Sequence, residues 1–134
     1  MRQFDVQSIQ LRLPVREVFA FISDPRNLPR WAKAFRNVSN GRATLQTPQG
    51  AMDIDLNVEA SEDQGTIDWI MNFPDGAVAR ACSRVVPLTA DLTIYSFVLL
   101  PPPVPLEQLE GALEQQSRTL AKELLTLKEL LEQG

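Results

Sequence analysis

Two periods of hydrophobic patterning run along this chain, and the switches between them mark its elements. Ile9, Leu11 and Leu13 alternate with Ser8, Gln10 and Arg12, which predicts a strand over Phe4–Leu13. Phe4 and Val6 carry the opposite parity, so a bulge near Gln7 is expected to re-aim that strand. After Pro14 the period lengthens: Val15, Val18, Phe19 and Ile22 fall at helical spacing and form one apolar stripe. Asp24-Pro25 then offers an N-cap acceptor followed by a proline suited to the first helical position. The helix it starts is brief, with Leu28, Trp31 and Phe35 on its buried side.

From Asn37 to Leu100 every signal is β. Turn chemistry recurs at Asn40-Gly41, Pro48-Gln49-Gly50, Asp63-Gln64-Gly65, Pro74-Asp75-Gly76 and Thr89-Ala90-Asp91. The clearest strand is Ala51–Glu59, where Met52, Ile54, Leu56 and Val58 alternate with Asp53, Asp55, Asn57 and Glu59. Short turns between consecutive strands imply a meander of hairpins. In the strand Gly76–Val86, one face reads Ala77, Ala79, Ala81, Ser83, Val85 and the other Val78, Arg80, Cys82, Arg84, Val86. Two buried, unpaired arginines would be costly, so the small-residue face is expected inside. Its neighbours inside are then Ile67, Trp69 and Met71 on one strand and Thr93, Tyr95, Phe97 and Leu99 on another. Beyond the proline run at 101–105, a helix of about 27 residues is expected from Leu106, long enough at ~40 Å to cross a small sheet. Its stripe is Leu106, Leu109, Leu113, Ser117, Leu120, Leu124, Leu127 and Leu131.

The order of elements predicts an α+β domain: a seven-stranded antiparallel sheet, two short helices after the first strand, and one long C-terminal helix covering the concave face. The stretch Ser8–Ala32 resembles the start of the START-like (SRPBCC) superfamily, which includes polyketide cyclase/dehydrase, lipid-transfer and Bet v 1-like proteins. The matching positions are Ile9, Leu11, Pro14, Val18, Phe19, Asp24, Pro25, Leu28, Pro29 and Trp31; Trp69, Gly76, Pro87 and the last helix match more loosely. The resemblance implies the helix-grip fold, with a cavity between sheet and long helix that often holds an apolar ligand. It implies no single activity, because the superfamily hosts cyclases, transfer proteins and others.

Composition narrows the chemistry. At 134 residues with 44% hydrophobic and 22% charged residues, the chain fits one globular domain, residues 1–134. A net charge of −4 disfavours a general nucleic-acid partner. The longest uncharged apolar run, Leu92–Leu106, contains four prolines and is too short to span a bilayer, so no integral membrane association is expected. The N-terminus has no apolar core of a signal peptide, and a single cysteine, Cys82, suits a reducing cytoplasm. The absence of histidine excludes His-based triads, histidine general bases and His-containing metal sites; no metal and no cofactor are expected.

Small residues on the concave face, together with Ser117 in the leucine stripe and Gly111 within the helix, are expected to leave a cavity for a small hydrophobic ligand. Its lining is expected from Trp31, Met52, Leu56, Trp69, Met71, Ala79, Ala81, Ser83, Tyr95, Phe97, Leu113, Ser117 and Leu120. Tyr95, Ser117, Thr93 and Ser83 are the polar groups that could orient a carbonyl or hydroxyl, against the plainer reading that each bonds local backbone. No catalytic residue is assigned: without histidine the acid–base candidates are Tyr95, Asp68, Glu59 and Arg80, and parity turns the last three outward. The rival readings are a cyclase/dehydrase-type enzyme and an interaction module of co-chaperone type. Residues 25–52 carry Arg26, Arg30, Lys33, Arg36 and Arg42 without an acid, which reads foremost as a solvated face. Leu92–Leu100 is apolar on both faces, so a homodimer through its outer face is expected unless residues 101–105 or the N-terminus fold over it.

Overall fold

A computed structural model of the chain describes residues 4–47, 50–100 and 106–133, with the side chains of residues 47 and 106–112 outside the description. Seven strands follow the expected order: β1 (Asp5–Leu11), β2 (Phe35–Ser39), β3 (Arg42–Thr47), β4 (Gly50–Ser61), β5 (Thr66–Asn72), β6 (Val78–Thr89) and β7 (Leu92–Leu99). They form one antiparallel sheet in the order β1-β7-β6-β5-β4-β3-β2, so β2 to β7 is a meander and β1 closes onto its last strand. The β2–β3 hairpin turns on Asn40 and Gly41, both at positive φ (52° and 77°), the backbone that a two-residue hairpin of matching twist requires. At the β4–β5 turn, Gly65 (φ 74°) accepts a 2.8 Å bond from the Val85 N–H, and a Cβ there would lie 2.5 Å from the Val85 carbonyl oxygen.

The bulge expected near Gln7 is absent. β1 pairs with β7 in unbroken register from Asp5 opposite Leu99 to Leu11 opposite Thr93. Phe4 and Val6 therefore stay on the outer face, 54% and 50% exposed, and Asp5 and Gln7 turn inward with Ile9 and Leu11. Polar residues are tolerated there because the C-terminal helix supplies Ser117 as a partner to both. The sheet's irregularities sit elsewhere, one of them in the β2–β3 pairing between Arg36 and Ser39. Pairing of β6 with β7 slips between Pro87 and Thr89, where Pro87 has no N–H to give the ladder.

Between β1 and β2 the chain forms α1 (Val15–Ser23), a 3-10 turn (Pro25–Asn27) and α2 (Leu28–Trp31). Val18 and Ile22 of α1 are fully buried, and Leu28 and Trp31 point α2 into the same core. Asp24 caps the turn as expected, accepting a 3.0 Å bond from the Arg26 backbone N–H. Phe35 does not belong to this helix; it opens β2 and packs against the core from the sheet.

The helix α3 (Leu106–Gln133) buries Leu113, Leu120, Leu124 and Leu127 of the predicted stripe, and Ser117 and Leu131 are partly buried. One flank packs against β1 and the other against α2. On the β1 flank, Lys128 Nζ donates to the Gln10 carbonyl at 2.7 Å, and Glu132 accepts from the Arg12 backbone N–H at 2.9 Å. These bonds cover backbone groups that β1, an edge strand, would otherwise leave open. The side chains of Leu106, Leu109 and Gly111, the Pro48-Gln49 turn and residues 101–105 lie outside the described residues. No described helix is long and apolar enough to cross a membrane.

Candidate functional site

Four aromatic side chains meet on the concave face. Trp31 enters from the end of α2, Trp69 from β5, and Tyr95 and Phe97, two residues apart and so on one face, from β7. Trp31 lies edge-on to Trp69 (6.3 Å between ring centroids) and to Tyr95 (6.4 Å); Tyr95 meets Phe97 at 6.3 Å. Trp69 and Phe97 stack at 5.8 Å, although their strands flank β6 and stand ~9.5 Å apart in the sheet. They lean together over β6, where the register sets Ala81 beside Trp69 and Ser83 beside Phe97. Small residues on β6 are what let the rings close over it.

The sheet residues expected as lining all lie on the inner face of the sheet. Leu56, Trp69, Ala81, Ser83, Tyr95 and Phe97 are buried on the inner face, and Met52, Met71 and Ala79 are partly buried there. Trp31 and Leu120 join the same core, while Leu113 is buried earlier on α3. Arg80 and Arg84 are exposed on the other face, with Arg80 3.6 Å from Glu59 and 3.8 Å from Asp68. Cys82 shares that face, its thiol raised by burial and by the neighbouring Asp68 carboxylate.

The polar groups divide sharply. Ser83 donates to the Ile67 carbonyl at 2.6 Å and Thr93 to the Leu13 carbonyl at 2.8 Å. Ser117 donates to Asp5 at 2.6 Å, and Gln7 Nε2 donates to Asp5 (2.8 Å) and to the Ser117 carbonyl (2.7 Å). Three of the four polar candidates are thus committed to local partners. Tyr95 is not: its hydroxyl is buried without a hydrogen bond, as are the indole N–H groups of Trp31 and Trp69. Burial pushes the Tyr95 phenol far above its ordinary pKa, and the nearby Ser83 hydroxyl offsets only part of that. The phenol is therefore a proton donor throughout the physiological range.

Sequence reading counted the tryptophans as apolar lining and passed over their N–H groups, which are donors with no acceptor capacity. It also missed Asp5 and Gln7, although the alternation of Leu11 and Ile9, continued backwards, reaches both. Glu123 is a third omission. It borders the leucine stripe on the flank of α3 opposite Ser117, and burial raises its carboxyl to about 7. The basic segment 25–52 is spent at the surface: Arg26 pairs with Asp24 (2.8 Å), Arg42 with Asp55 (2.9 Å), and Arg30 lies over the Phe21 ring (5.2 Å). A groove of about 410 Å³ at the C-terminal turns of α3, lined by Arg12, Leu125, Lys128, Glu129, Glu132 and Gln133, includes no residue of the ring cluster.

No protein-family profile matches the chain, and no curated protein matches it in sequence. Solved structures do match. A START superfamily protein from Mycobacterium smegmatis superposes with a TM-score of 0.65 at 15% identity, covering 97% of each chain. The di-domain ARO/CYC BexL from the BE-7585A biosynthetic pathway gives 0.70 at 20% identity over 98% of this chain, which spans 47% of that longer one. A protein from Nitrosomonas europaea gives 0.66 at 18% identity over 98% of this chain and 95% of the other. With the sheet order, the two short helices after β1 and the long covering helix, these likenesses establish that the chain has the START-like helix-grip fold.

Proposed function

We propose that this domain binds a small, mostly apolar molecule between the concave sheet and α3, on a floor made by the aromatic cluster. The observation that carries this reading is the row Ala79, Ala81, Ser83 running down the middle of the inner face between rows of large side chains. Small residues flanked by rings form a floor that a flat apolar ligand suits. Structural likeness to a START superfamily protein and to an ARO/CYC protein supports it at the level of fold. Trp69 and Phe97 stack over the row, so a ligand seated on it would part them. Native mass spectrometry of protein purified from its own host is expected to show a co-purified small molecule. Ala81→Leu is expected to abolish that adduct, at a cost of about 1–3 kcal/mol because the new side chain displaces the rings stacked over this position. A wild type without adduct, or an adduct that Ala81→Leu leaves unchanged, would refute the reading.

The outer face supports a second, separate reading: self-association. Val6 lies opposite Val98, which lies opposite Cys82, and Ile94 lies opposite Val86, so apolar rows cross β1, β7 and β6 on the convex side. A two-fold axis would bury such rows against themselves. Sedimentation of wild type against Ile94→Lys tests it. A monomer for both proteins at micromolar concentrations ends this reading.

A further inference from the structure

Wild-type packing leaves three hydrogen-bond donors stranded in one patch of apolar core. Trp31 is 2% exposed, Trp69 3% and Tyr95 0%, and the nitrogen or oxygen of each is buried without a partner. One orphan is a tolerable flaw in a native interior; three within one contiguous set of rings, on one face and around the small-residue row, call for an explanation. Two of them can only donate, and the third is a neutral phenol. Countercharge is absent from this patch. Every described arginine is exposed, as are Lys33 and Lys122, and Lys128 is committed to the Gln10 carbonyl and Glu132.

From these facts we infer that the site selects an uncharged ligand carrying a hydrogen-bond-accepting oxygen, a ketone or ester carbonyl, which the Trp31 and Trp69 N–H groups and the Tyr95 hydroxyl receive. The inference rests on the binding reading above and adds the polarity of the ligand. An anion would enter a low-dielectric site without a cation to meet it, and a ligand offering only donors would leave both indole N–H groups unmet, reaching at most the Tyr95 oxygen. A pure hydrocarbon would fill the space and gain nothing from them. A carbonyl oxygen, with two lone pairs, turns up to two of the unsatisfied groups into bonded ones, so discrimination against its isostere arises from the site's own unmet donors.

Three tricyclic probes test this: 9-fluorenone, fluorene, which replaces the carbonyl by a methylene, and fluorene-9-carboxylate. Calorimetry on the whole chain is expected to show fluorenone binding at least about tenfold tighter than fluorene, the factor that one net neutral hydrogen bond of ~1.4 kcal/mol supplies, with the carboxylate weakest. The infrared carbonyl stretch of bound fluorenone is expected below its frequency in alkane solvent. Tyr95→Phe and, independently, Trp69→Phe are expected to return part of that shift and narrow the preference for fluorenone over fluorene. Equal binding of fluorenone and fluorene, or an unshifted carbonyl, removes the donor subsite and leaves the cavity standing. Tightest binding by the carboxylate replaces it with an anion site. No binding by any of the three probes removes both the subsite and the reading it rests on.

Discussion

Tyr95→Phe is the sharpest perturbation because it deletes one oxygen atom and leaves every ring contact in place. The side chain is wholly buried, and truncations at such positions ordinarily destabilise. Here the sign is expected to reverse. A buried hydroxyl without a partner carries a desolvation penalty of about 1–3 kcal/mol. The hole left by one oxygen costs on the order of 0.5 kcal/mol at the usual price of cavity volume. The net expectation is a gain of about 1 kcal/mol, which for a domain of this size raises the melting temperature by roughly 3–5 °C. Thermal melts followed by circular dichroism, with urea titrations at constant protein concentration, measure it. Ser83→Ala is the internal control: it removes a made 2.6 Å bond to the Ile67 carbonyl and is expected to cost about 1 kcal/mol. A loss above about 1 kcal/mol in Tyr95→Phe would show that the hydroxyl has a partner in solution, and the donor subsite would lose its third member.

Other substitutions probe the frame around the site. Leu120→Ala is expected to cost about 2–5 kcal/mol in the same melts, and a loss below about 1 kcal/mol would mean that Leu120 faces unfilled space. Gly65→Ala is expected to cost at least about 2 kcal/mol, since it combines a left-handed backbone with a Cβ 2.5 Å from the Val85 carbonyl oxygen; an unchanged melt would mean that the β4–β5 turn relaxes freely. Glu123 has its folded pKa raised to about 7 from about 4.5, so ionising it works against folding as pH rises through that window, and the whole cost is present above pH 7. Glu123→Gln is accordingly expected to stabilise by about 1–2 kcal/mol at pH 8, discounted for a carboxyl that is only partly buried, and by nothing near pH 4.5; a pH-independent difference would refute the assignment. Amide hydrogen exchange is expected to be faster in α2 than in β1, and bound fluorenone to slow it in α2.

The fold was legible because its elements carry strong periods and its turns carry explicit chemistry. Asn40-Gly41 marked a hairpin and formed one; Asp24-Pro25 marked a cap and made one. The register of β6 followed from the cost of burying Arg80 and Arg84, and that single decision fixed the inner face of its neighbours through antiparallel pairing. The start of β1 misled because Phe4 and Val6 look like core while Asp5 and Gln7 look like surface. Only the partner 110 residues away, Ser117, makes the inward Gln7 affordable, and no local pattern announces it. The site was half legible for the same kind of reason. Which residues line the face follows from parity, but whether a hydroxyl is free depends on carbonyls opposite it. Ser83 and Thr93 found acceptors at Ile67 and Leu13; Tyr95 did not.

The two flanks of α3 are held by different forces, and this bears on how a closed ring cluster could admit anything. Toward β1 the helix is tied by Gln7, Asp5 and Ser117 near its middle and by Lys128 and Glu132 near its end, bonds whose geometry fixes its register. Toward α2, no side-chain hydrogen bond between the two helices exists among the described residues, and Leu28 and Trp31 of α2 share one apolar core with Leu120, Leu124 and Leu127 of α3. Apolar contacts are non-directional and tolerate sliding, whereas a network of directional bonds has one good arrangement. The helix is thus anchored along one edge and only packed along the other. α2 is a single turn carrying Trp31, one of the stranded donors, so displacement on that flank moves a ring of the cluster directly. The same asymmetry that steadies α3 on β1 makes the α2 side the inexpensive place to open the rings and bring an accepting oxygen to them.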